Sequence, residues 1–594
     1  MQIARVFDIL ENLRINHNKS DILNSKDNKK WVSYHVLDFI SQTNNISAGL
    51  LAIGLKQNDV IALMSNNRPE WNFIDFGAQQ VAMPTVPIFP TIGVEDLKYI
   101  LNHSEAKAIF ISDKSIYIKL KSILNHLPHL KHIYSLNFIE GVKPLSELME
   151  LGKNNYDREK IDTIKASISE NDLFTILYTS GTTGSPKGVM ISHKSLLGNV
   201  KALHKLAPIS DTWRALSFLP LNHVYERVIT TLYLYKGVSI YYAENFETIA
   251  ENCKEIQPQI FVAVPRILER VLEKIYAKGD KLIGFKKRIF DLGTQLAEKY
   301  ELDGANGKWY ELKRKIFDKL VFSKWREAFG GRLVCVVSGG AALNPRLERI
   351  FCCAKITLLQ GYGLTETSVA ISANNFGPNN IMFGTVGTVM ENIEVKIAEE
   401  DGEILMRGPS LMMGYYKNPE ATHEVIDEEG WFHTGDVGTI IDNKFLKITD
   451  RKKELFKTNA GKYISPVALE NKLKECKFIE QCIVLGEGQK FASAIIIPNL
   501  LSFKEHCEIN HIEWIGKSEM LKSELLNQLI QGHIKQLNAN HAPYEHLKRC
   551  KIIEGTWTVE GGEITPKLSL KRKIILERNK AIVEDIFKTE LLTG

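Results

Sequence analysis

Tyr178-Thr179-Ser180-Gly181-Thr182-Thr183-Gly184-Ser185-Pro186-Lys187-Gly188 follows directly on the apolar run Phe174-Thr175-Ile176-Leu177. The run is short and bounded by Gly, Ser and Thr, which reads as a buried strand leading into a loop. Glycines in the loop let the backbone approach an anion closely, and the hydroxyls with Lys187 supply donors for phosphate oxygens. The loop is not the nucleoside-triphosphatase P-loop, which needs a Gly-Lys-Ser/Thr run. A flexible Gly/Ser/Thr connector is the other reading of the same residues. Beyond the loop, Ser195 to Leu206 reads as a helix. Two further runs, Val334-Cys335-Val336-Val337 and Ile356-Thr357-Leu358-Leu359, alternate with helical stretches. The alternation predicts an α/β fold with substantial parallel sheet, and it puts the loop at the carboxyl end of a strand, where such sheets bind ligands.

The chain has 594 residues, enough for more than one domain. Hydrophobic residues make up 44% and charged residues 24%, a balance that excludes disordered and fibrous classes. A net charge of +5 is small for this length and argues for no nucleic-acid partner. Cysteines stand at 253, 335, 352, 353, 476, 482, 507 and 550 with no CxxC pair, so neither a zinc site nor a disulfide framework is signalled. Free thiols point to a reducing cytosol. The N-terminus lacks an apolar signal core, and no uninterrupted run of about 18 apolar residues occurs, so a cytoplasmic protein that does not span a membrane is expected.

Residues 281–329 differ from their surroundings. Leu312, Ile316, Phe317, Leu320, Val321 and Trp325 follow helical spacing, and Gly330-Gly331 ends the pattern. Between 281 and 326 stand twelve Lys/Arg against six Asp/Glu. A basic amphipathic helix can lie peripherally on an anionic membrane surface; a solvated face on a packed helix is the alternative. The charged stretch Asp450-Arg451-Lys452-Lys453-Glu454 follows a strand-like run and reads as a hinge between domains.

Other clusters carry chemistry. In Gln360-Gly361-Tyr362-Gly363-Leu364-Thr365-Glu366-Thr367, Tyr362 offers a ring to stack on a base, Thr365 a phosphate donor and Glu366 a carboxylate for Mg²⁺. The third glycine of the dinucleotide fingerprint is absent, which disfavours NAD or FAD. In Trp431-Phe432-His433-Thr434-Gly435-Asp436, the Asp on a Gly turn could hold a ribose diol, and Arg451 could reach the same sugar. Taken separately, a turn aspartate is commonly structural and a hinge arginine commonly solvated.

These segments, in this order and spacing, resemble the adenylate-forming acyl-CoA synthetases, the superfamily that also holds luciferases and peptide-synthetase adenylation domains. The resemblance extends to Asn67-Arg68-Pro69-Glu70-Trp71, Ser338-Gly339-Gly340-Ala341 and Gly402-Glu403-Ile404-Leu405-Met406-Arg407-Gly408-Pro409. Leu219-Pro220-Leu221-Asn222-His223-Val224-Tyr225-Glu226-Arg227, Val264-Pro265-Arg266 and the 281–329 insertion are similar to the long-chain fatty acyl-CoA synthetases in particular.

The resemblance implies a large multi-subdomain N-terminal domain of mixed and parallel sheets over 1–450, a hinge at 451–453 and a small mobile α+β domain over 454–594. It implies ATP, Mg²⁺ and coenzyme A, with two half-reactions: a fatty acid is activated to acyl-AMP with release of pyrophosphate, then transferred to coenzyme A. An acyl-AMP ligase loading an acyl carrier protein is the alternative. Thr179, Ser180, Gly181, Thr182, Thr183, Gly184 and Lys187 would hold the β- and γ-phosphates. Thr179 and Glu366 would contact Mg²⁺. Gln360, Gly361, Tyr362 and Gly363 would bind adenine, with Gly339, Gly340 and Ala341 lining its other side. Thr365 would touch the α-phosphate, Asp436 and Arg451 the ribose, and His223 would sit beside the acyl and phosphate sites unless it is a core histidine. Of the C-terminal lysines, Lys571 is expected to bridge carboxylate and α-phosphate, ahead of Lys567 and Lys573. The domain would turn about Lys453, opening a pantetheine path near Gly461 to Ile464.

Overall fold

The computed structural model describes the chain apart from residues 1–2, 180–184, 378, 453, 460–462, 559–560, 565–569 and 589–594. It is a mixed α/β protein folded into two compact units. The larger holds Met1–Lys396, Leu405–Thr434 and Ile440–Lys447, and the smaller holds Ile397–Ile404, Gly435–Thr439 and Ile448–Gly594.

Two sheets organise the larger unit. In one, the strands Thr357–Tyr362, Cys335–Ser338, Ile260–Ala263, Arg214–Ser217, Ser239–Tyr242 and Leu23–Asp27 lie side by side, all parallel. Ile260–Ala263 and Ser239–Tyr242 are buried along their whole length. Such strands read as unbroken apolar runs because helices cover both faces of a parallel sheet. In the other sheet, Ile61–Met64, Thr85–Pro87, Ala108–Ile111 and His132–Ser135 are parallel, and Leu173–Thr179 joins them beside Thr85–Pro87.

The expected strand before the glycine-rich loop is present as Leu173–Thr179, but no helix follows the loop directly. The chain returns as the antiparallel strand Lys187–Ser192, pairing Thr179 with Lys187 and Tyr178 with Gly188. Thr179 and Lys187 are thus paired across two antiparallel strands, and the helix His193–Leu203 begins only after the second of them. Gly188 is needed there, since a Cβ would stand 2.8 Å from Ile176 Cγ2 and 3.2 Å from the Tyr178 ring.

A buried polar cluster fastens the helices Pro69–Gln80 and Val224–Lys236 to the second sheet. Arg227, 2% exposed, pairs with Asp75 at 2.5 Å and donates to Thr175 Oγ1 and Thr85 Oγ1. Its guanidinium lies 4.2 Å from the Phe174 ring centroid and 5.3 Å from that of Trp71. Removing one partner of such a buried pair strands the other charge, at a cost of about 3–5 kcal/mol. Asn222 accepts from Trp71 Nε1, and Asn67 donates to the Leu219 carbonyl while accepting from the Leu221 N–H. The motifs 67–71 and 219–227 are thus two halves of one packed assembly.

In the smaller unit, Ile479–Leu485 pairs antiparallel with Ala492–Pro498, which pairs in parallel with Leu547–Ile552. The helices Pro466–Leu473 and Glu524–Ala539 contribute Leu469, Leu473, Leu526, Ile530 and Ile534 to its core.

Candidate functional site

In the larger unit, the parallel strands deliver the predicted residues at their carboxyl ends. Ser338 ends its strand beside Gln360 in register, and Ala263 lies beside Ser338 on the other side. Ser338 Oγ and Gln360 Oε1 are buried without a hydrogen-bond partner among the described residues. Leaving such atoms unmet costs free energy, so a polar ligand edge fits this place. Gly339 is buried against Tyr225, with room for a Cβ only 3.2 Å from its ring, while Gly340 (φ +79°) and Ala341 form an exposed rim. Tyr225 donates to the Val337 carbonyl at 3.0 Å, holding the end of this strand. Gly361 and Tyr362 pair with Ala373 and Ser372 on the opposite side.

Beyond Tyr362 the chain makes a tight knot. A Cβ on Gly363 would fall 1.4 Å from the Val369 carbonyl oxygen, so only glycine fits. Thr365–Thr367 form a 3-10 turn with Thr365 and Thr367 buried. Ser368 and Val369 then take φ +51° and +96°, a left-handed conformation that costs a β-branched residue free energy. Asn199 holds the knot from outside by donating to the Thr367 and Ala370 carbonyls and accepting from the Ala370 N–H.

Glu366 projects from this knot and accepts from Tyr415 Oη at 3.0 Å, while its carbonyl accepts from the Met412 N–H. Lys187 Nζ lies 4.9 Å from the Tyr415 ring centroid. Gly414–Tyr415 pairs with Met190 and Val189 on the strand Lys187–Ser192. Thr179, Lys187, Tyr415 and Glu366 thus form one connected set, with a lysine and a carboxylate held on either side of one phenol. Burial, reinforced by the Glu366 charge, pushes the Tyr415 phenol above its ordinary range, so it stays a donor. Tyr415 is absent from the sequence reading. It lies 49 residues from its carboxylate, and no local pattern distinguishes it.

His223 caps the helix Val224–Lys236 by accepting the Tyr225 N–H on Nδ1, which puts the proton of the neutral ring on Nε2. Its ring meets Phe89 edge-on at 6.4 Å. One turn along, Glu226 is fully buried; Oε1 accepts from Ser217 Oγ at 2.5 Å and Oε2 has no partner among the described residues. Burial pushes this carboxyl up to about 8, so it is protonated at neutral pH.

In the smaller unit, Asp436 is 3% exposed and pairs with Arg451 Nε at 3.0 Å, so the structure brings these two together. Gly435 (φ +72°) turns the chain beside Asp436 and donates to Glu403 Oε1. Lys452 binds Asp401 and Glu403 at 2.6 and 2.9 Å. Lys571 stands at the N-terminus of the helix Arg572–Arg578, which is anchored by Arg572 on the buried Glu470 at 2.6 Å. Ser180, Gly181, Thr182, Thr183, Gly184, Lys453, Lys567, Gly461 and Lys462 lie outside the described residues.

Comparison with known proteins shows the family to which the chain is similar. A family model described as AMP-binding enzyme matches residues 14–416, and one described as AMP-binding enzyme C-terminal domain matches 454–591. The long-chain-fatty-acid–CoA ligase FadD15 of Mycobacterium bovis is 31% identical over 94% of this chain and 93% of its own. The peroxisomal long chain acyl-CoA synthetase 7 of Arabidopsis thaliana is 31% identical over 91% of this chain and 79% of its own. Among solved structures, the anthranilate CoA ligase AuaEII in complex with anthranoyl-AMP superposes with a TM-score of 0.73 at 18% identity, covering 98% of both chains. A fatty acyl CoA synthetase of Mycobacterium tuberculosis superposes with a TM-score of 0.64 at 19% identity, covering 98% of this chain and 99% of its own.

Proposed function

The chain belongs to the AMP-binding enzyme family, and on that premise we propose how its residues divide the work. It is a long-chain fatty acid–CoA ligase. A fatty-acid carboxylate oxygen attacks the α-phosphorus of ATP, the bond to the β-phosphate oxygen breaks, and pyrophosphate leaves. The coenzyme A sulfur then attacks the acyl carbonyl carbon of the adenylate, the carbon–oxygen bond breaks, and AMP leaves. Both steps join anions or expel them, so the protein's main contribution is fixed positive charge and donors.

In this reading the glycine-rich segment with Lys187 holds the terminal phosphates, as a strand-end loop rich in donors is suited to do. Thr179 and Glu366 would hold Mg²⁺, which supplies charge neutralisation on the phosphates; the carboxylate and hydroxyl oxygens are the hard donors this ion takes. Gln360 to Gly363 face adenine from one strand end, and Ser338 to Ala341 from the next. Thr365 donates to the α-phosphate, and His223 offers its Nε2 proton toward the acyl and phosphate groups. Asp436 and Arg451 bind the ribose. Lys571 offsets repulsion between the carboxylate and the α-phosphate. The domain limits at 450 and 454, the hinge at Lys453, coenzyme A entry near Gly461 to Ile464, and residence in the cytoplasm with peripheral contact at a membrane belong to the same reading.

The observation that carries these assignments is the connected set Lys187, Tyr415 and Glu366, because it joins the end of the glycine-rich segment to the Thr365-Glu366 knot. The experiment is pyrophosphate and AMP release from Mg·ATP across fatty acids of increasing length, with and without coenzyme A. AMP and acyl-CoA formed only with coenzyme A and a long-chain acid is the expected result. Pyrophosphate release without acyl-CoA formation would move the acceptor to a carrier protein, and silence across the series would overturn the reading.

A further inference from the structure

Behind the set Lys187, Tyr415 and Glu366 lies an aromatic group centred on His103, the last residue of the helix Val94–His103. His103 Nδ1 is 2.8 Å from Tyr178 Oη. The His103 ring stacks on Tyr99 of its own helix, 5.2 Å between centroids, and meets the rings of Tyr178 and Tyr416 edge-on at 5.8 and 5.7 Å. Burial, reinforced by the Lys417 ammonium, holds the imidazole below its ordinary range, so the ring is neutral at pH 7. Burial keeps the Tyr178 phenol protonated. A phenol is the stronger donor of the two, so Tyr178 Oη donates to Nδ1 and the ring's own proton sits on Nε2. Lys417 Nζ donates to the His103 carbonyl at 3.2 Å and pairs with Glu105 at 2.6 Å, which fastens the end of the helix to the segment after Tyr416.

The tyrosines that His103 joins border three neighbouring strands whose other face carries the proposed site. Leu173–Thr179, Lys187–Ser192 and Gly414–Tyr415 lie side by side, with Lys187–Ser192 in the middle. Tyr178 pairs with Gly188, and Tyr416 donates its N–H to the Gly188 carbonyl at 2.7 Å, so Tyr178, Gly188 and Tyr416 make one row across the strands. Residues opposite one another share a face, and successive residues alternate between faces. Thr179, Lys187 and Tyr415 are each one residue away from this row and belong to the other face, where Lys187 Nζ meets the Tyr415 ring. Gly188, the middle member of the row, brings no side chain, and His103 supplies the contact between the outer two.

We propose, resting on the phosphate assignment above, that His103 is a positioning residue for ATP: by tying Tyr178 to Tyr416 on one face of these strands, it fixes the places of Thr179, Lys187 and Tyr415 on the other. His103 acts through the strands and not on the reacting atoms. An outer strand that slides or splays carries its front-face groups with it, and groups that position a phosphate tolerate little displacement. The charged neighbours Lys417 and Glu105 are paired with each other, so a neutral hydrogen bond and ring contacts make the tie.

The test is Mg·ATP binding by calorimetry together with steady-state pyrophosphate release, on the full chain carrying H103L, H103N or Y178F. His103→Leu keeps most of the volume and removes the acceptor, whereas His103→Asn puts an amide oxygen near the place of Nδ1. With H103L, Kd and KM for ATP should rise by about three- to tenfold, the effect of one hydrogen bond between neutral groups, while KM for a long-chain fatty acid and for coenzyme A stay unchanged. H103N should recover most of that loss. Y178F should match H103L, and the double variant should be no weaker than either, since both remove the same bond. Thermal melting shows whether each variant is folded at the assay temperature. A merely structural role would lower the melting temperature and move all three KM values alike. ATP bound by H103L as tightly as by the unaltered protein would overturn the proposal and leave the phosphate assignment standing. So would an equal rise in all three KM values, or no recovery in H103N. Failure of the unaltered protein to bind ATP would overturn the phosphate assignment and the role of His103 with it.

Discussion

Tyr415 shows how one side chain can connect two motifs. Its hydroxyl holds Glu366 while its ring faces the Lys187 ammonium. Tyr415→Phe keeps the ring and removes only the donor. We expect kcat/KM for ATP to fall by roughly ten- to hundredfold with unchanged melting temperature, the effect of one hydrogen bond to a charged group; steady-state pyrophosphate release measures it. Glu226 makes a second case. Its folded pKa of about 8 lies above the unfolded value of 4.5, so the folded state binds the extra proton between these limits. Stability therefore falls as pH rises from about 4.5 to 8, by at most about 1.4 kcal/mol per pH unit for this group, and is level outside that window. Glu348, also raised to about 8 by burial, acts in the same sense. Glu226→Gln should flatten the decline in melting temperature across that window, and an unchanged slope by calorimetry would refute it.

The knot Gly363–Ala370 shows what a local motif requires of its surroundings. Gly363 admits no Cβ, Ser368 and Val369 are left-handed, and Asn199 fastens the knot from the helix His193–Leu203. Gly363→Ala must push the Val369 carbonyl away and displace Thr365 and Glu366. Acyl-CoA formation should drop by about 100-fold or more, as misplacing positioning groups by about 1 Å does, while circular dichroism at low temperature stays native. Sequence reading recognised this glycine as part of a motif. Its steric reason lies in a carbonyl six residues onward, brought back by the turn. The insertion teaches the converse lesson. Its helical spacing was legible, but Leu312, Ile316, Leu320 and Phe317, Val321, Trp325 read as one apolar set. Folding divides them, burying Val321 and Trp325 and leaving Leu312, Ile316 and Leu320 exposed.

Across the molecule, the proposed groups fall in different units: the phosphate and adenine residues in the larger, Asp436, Arg451 and Lys571 in the smaller. If Lys571 serves only adenylation, Lys571→Ala should lower pyrophosphate release by about 100-fold or more. The same variant should still convert supplied acyl-AMP and coenzyme A to acyl-CoA near the normal rate. Lys573→Ala should leave both steps near normal. Equal loss of both steps in Lys571→Ala would contradict the division, and loss of pyrophosphate release in Lys573→Ala would move the role to that residue.

The linear order of residues determined the α/β class and the family, because phosphate-binding loops need glycines and hydroxyls in sequence and buried parallel strands need continuous apolar runs. Tertiary structure alone decided that Thr179 and Lys187 pair across antiparallel strands, that Tyr415 bridges Lys187 and Glu366, and that Glu226 keeps its proton. Only packing decided which apolar residues of the insertion face outward. Each of these depends on segments tens of residues apart meeting in space, where burial and distance set the chemistry.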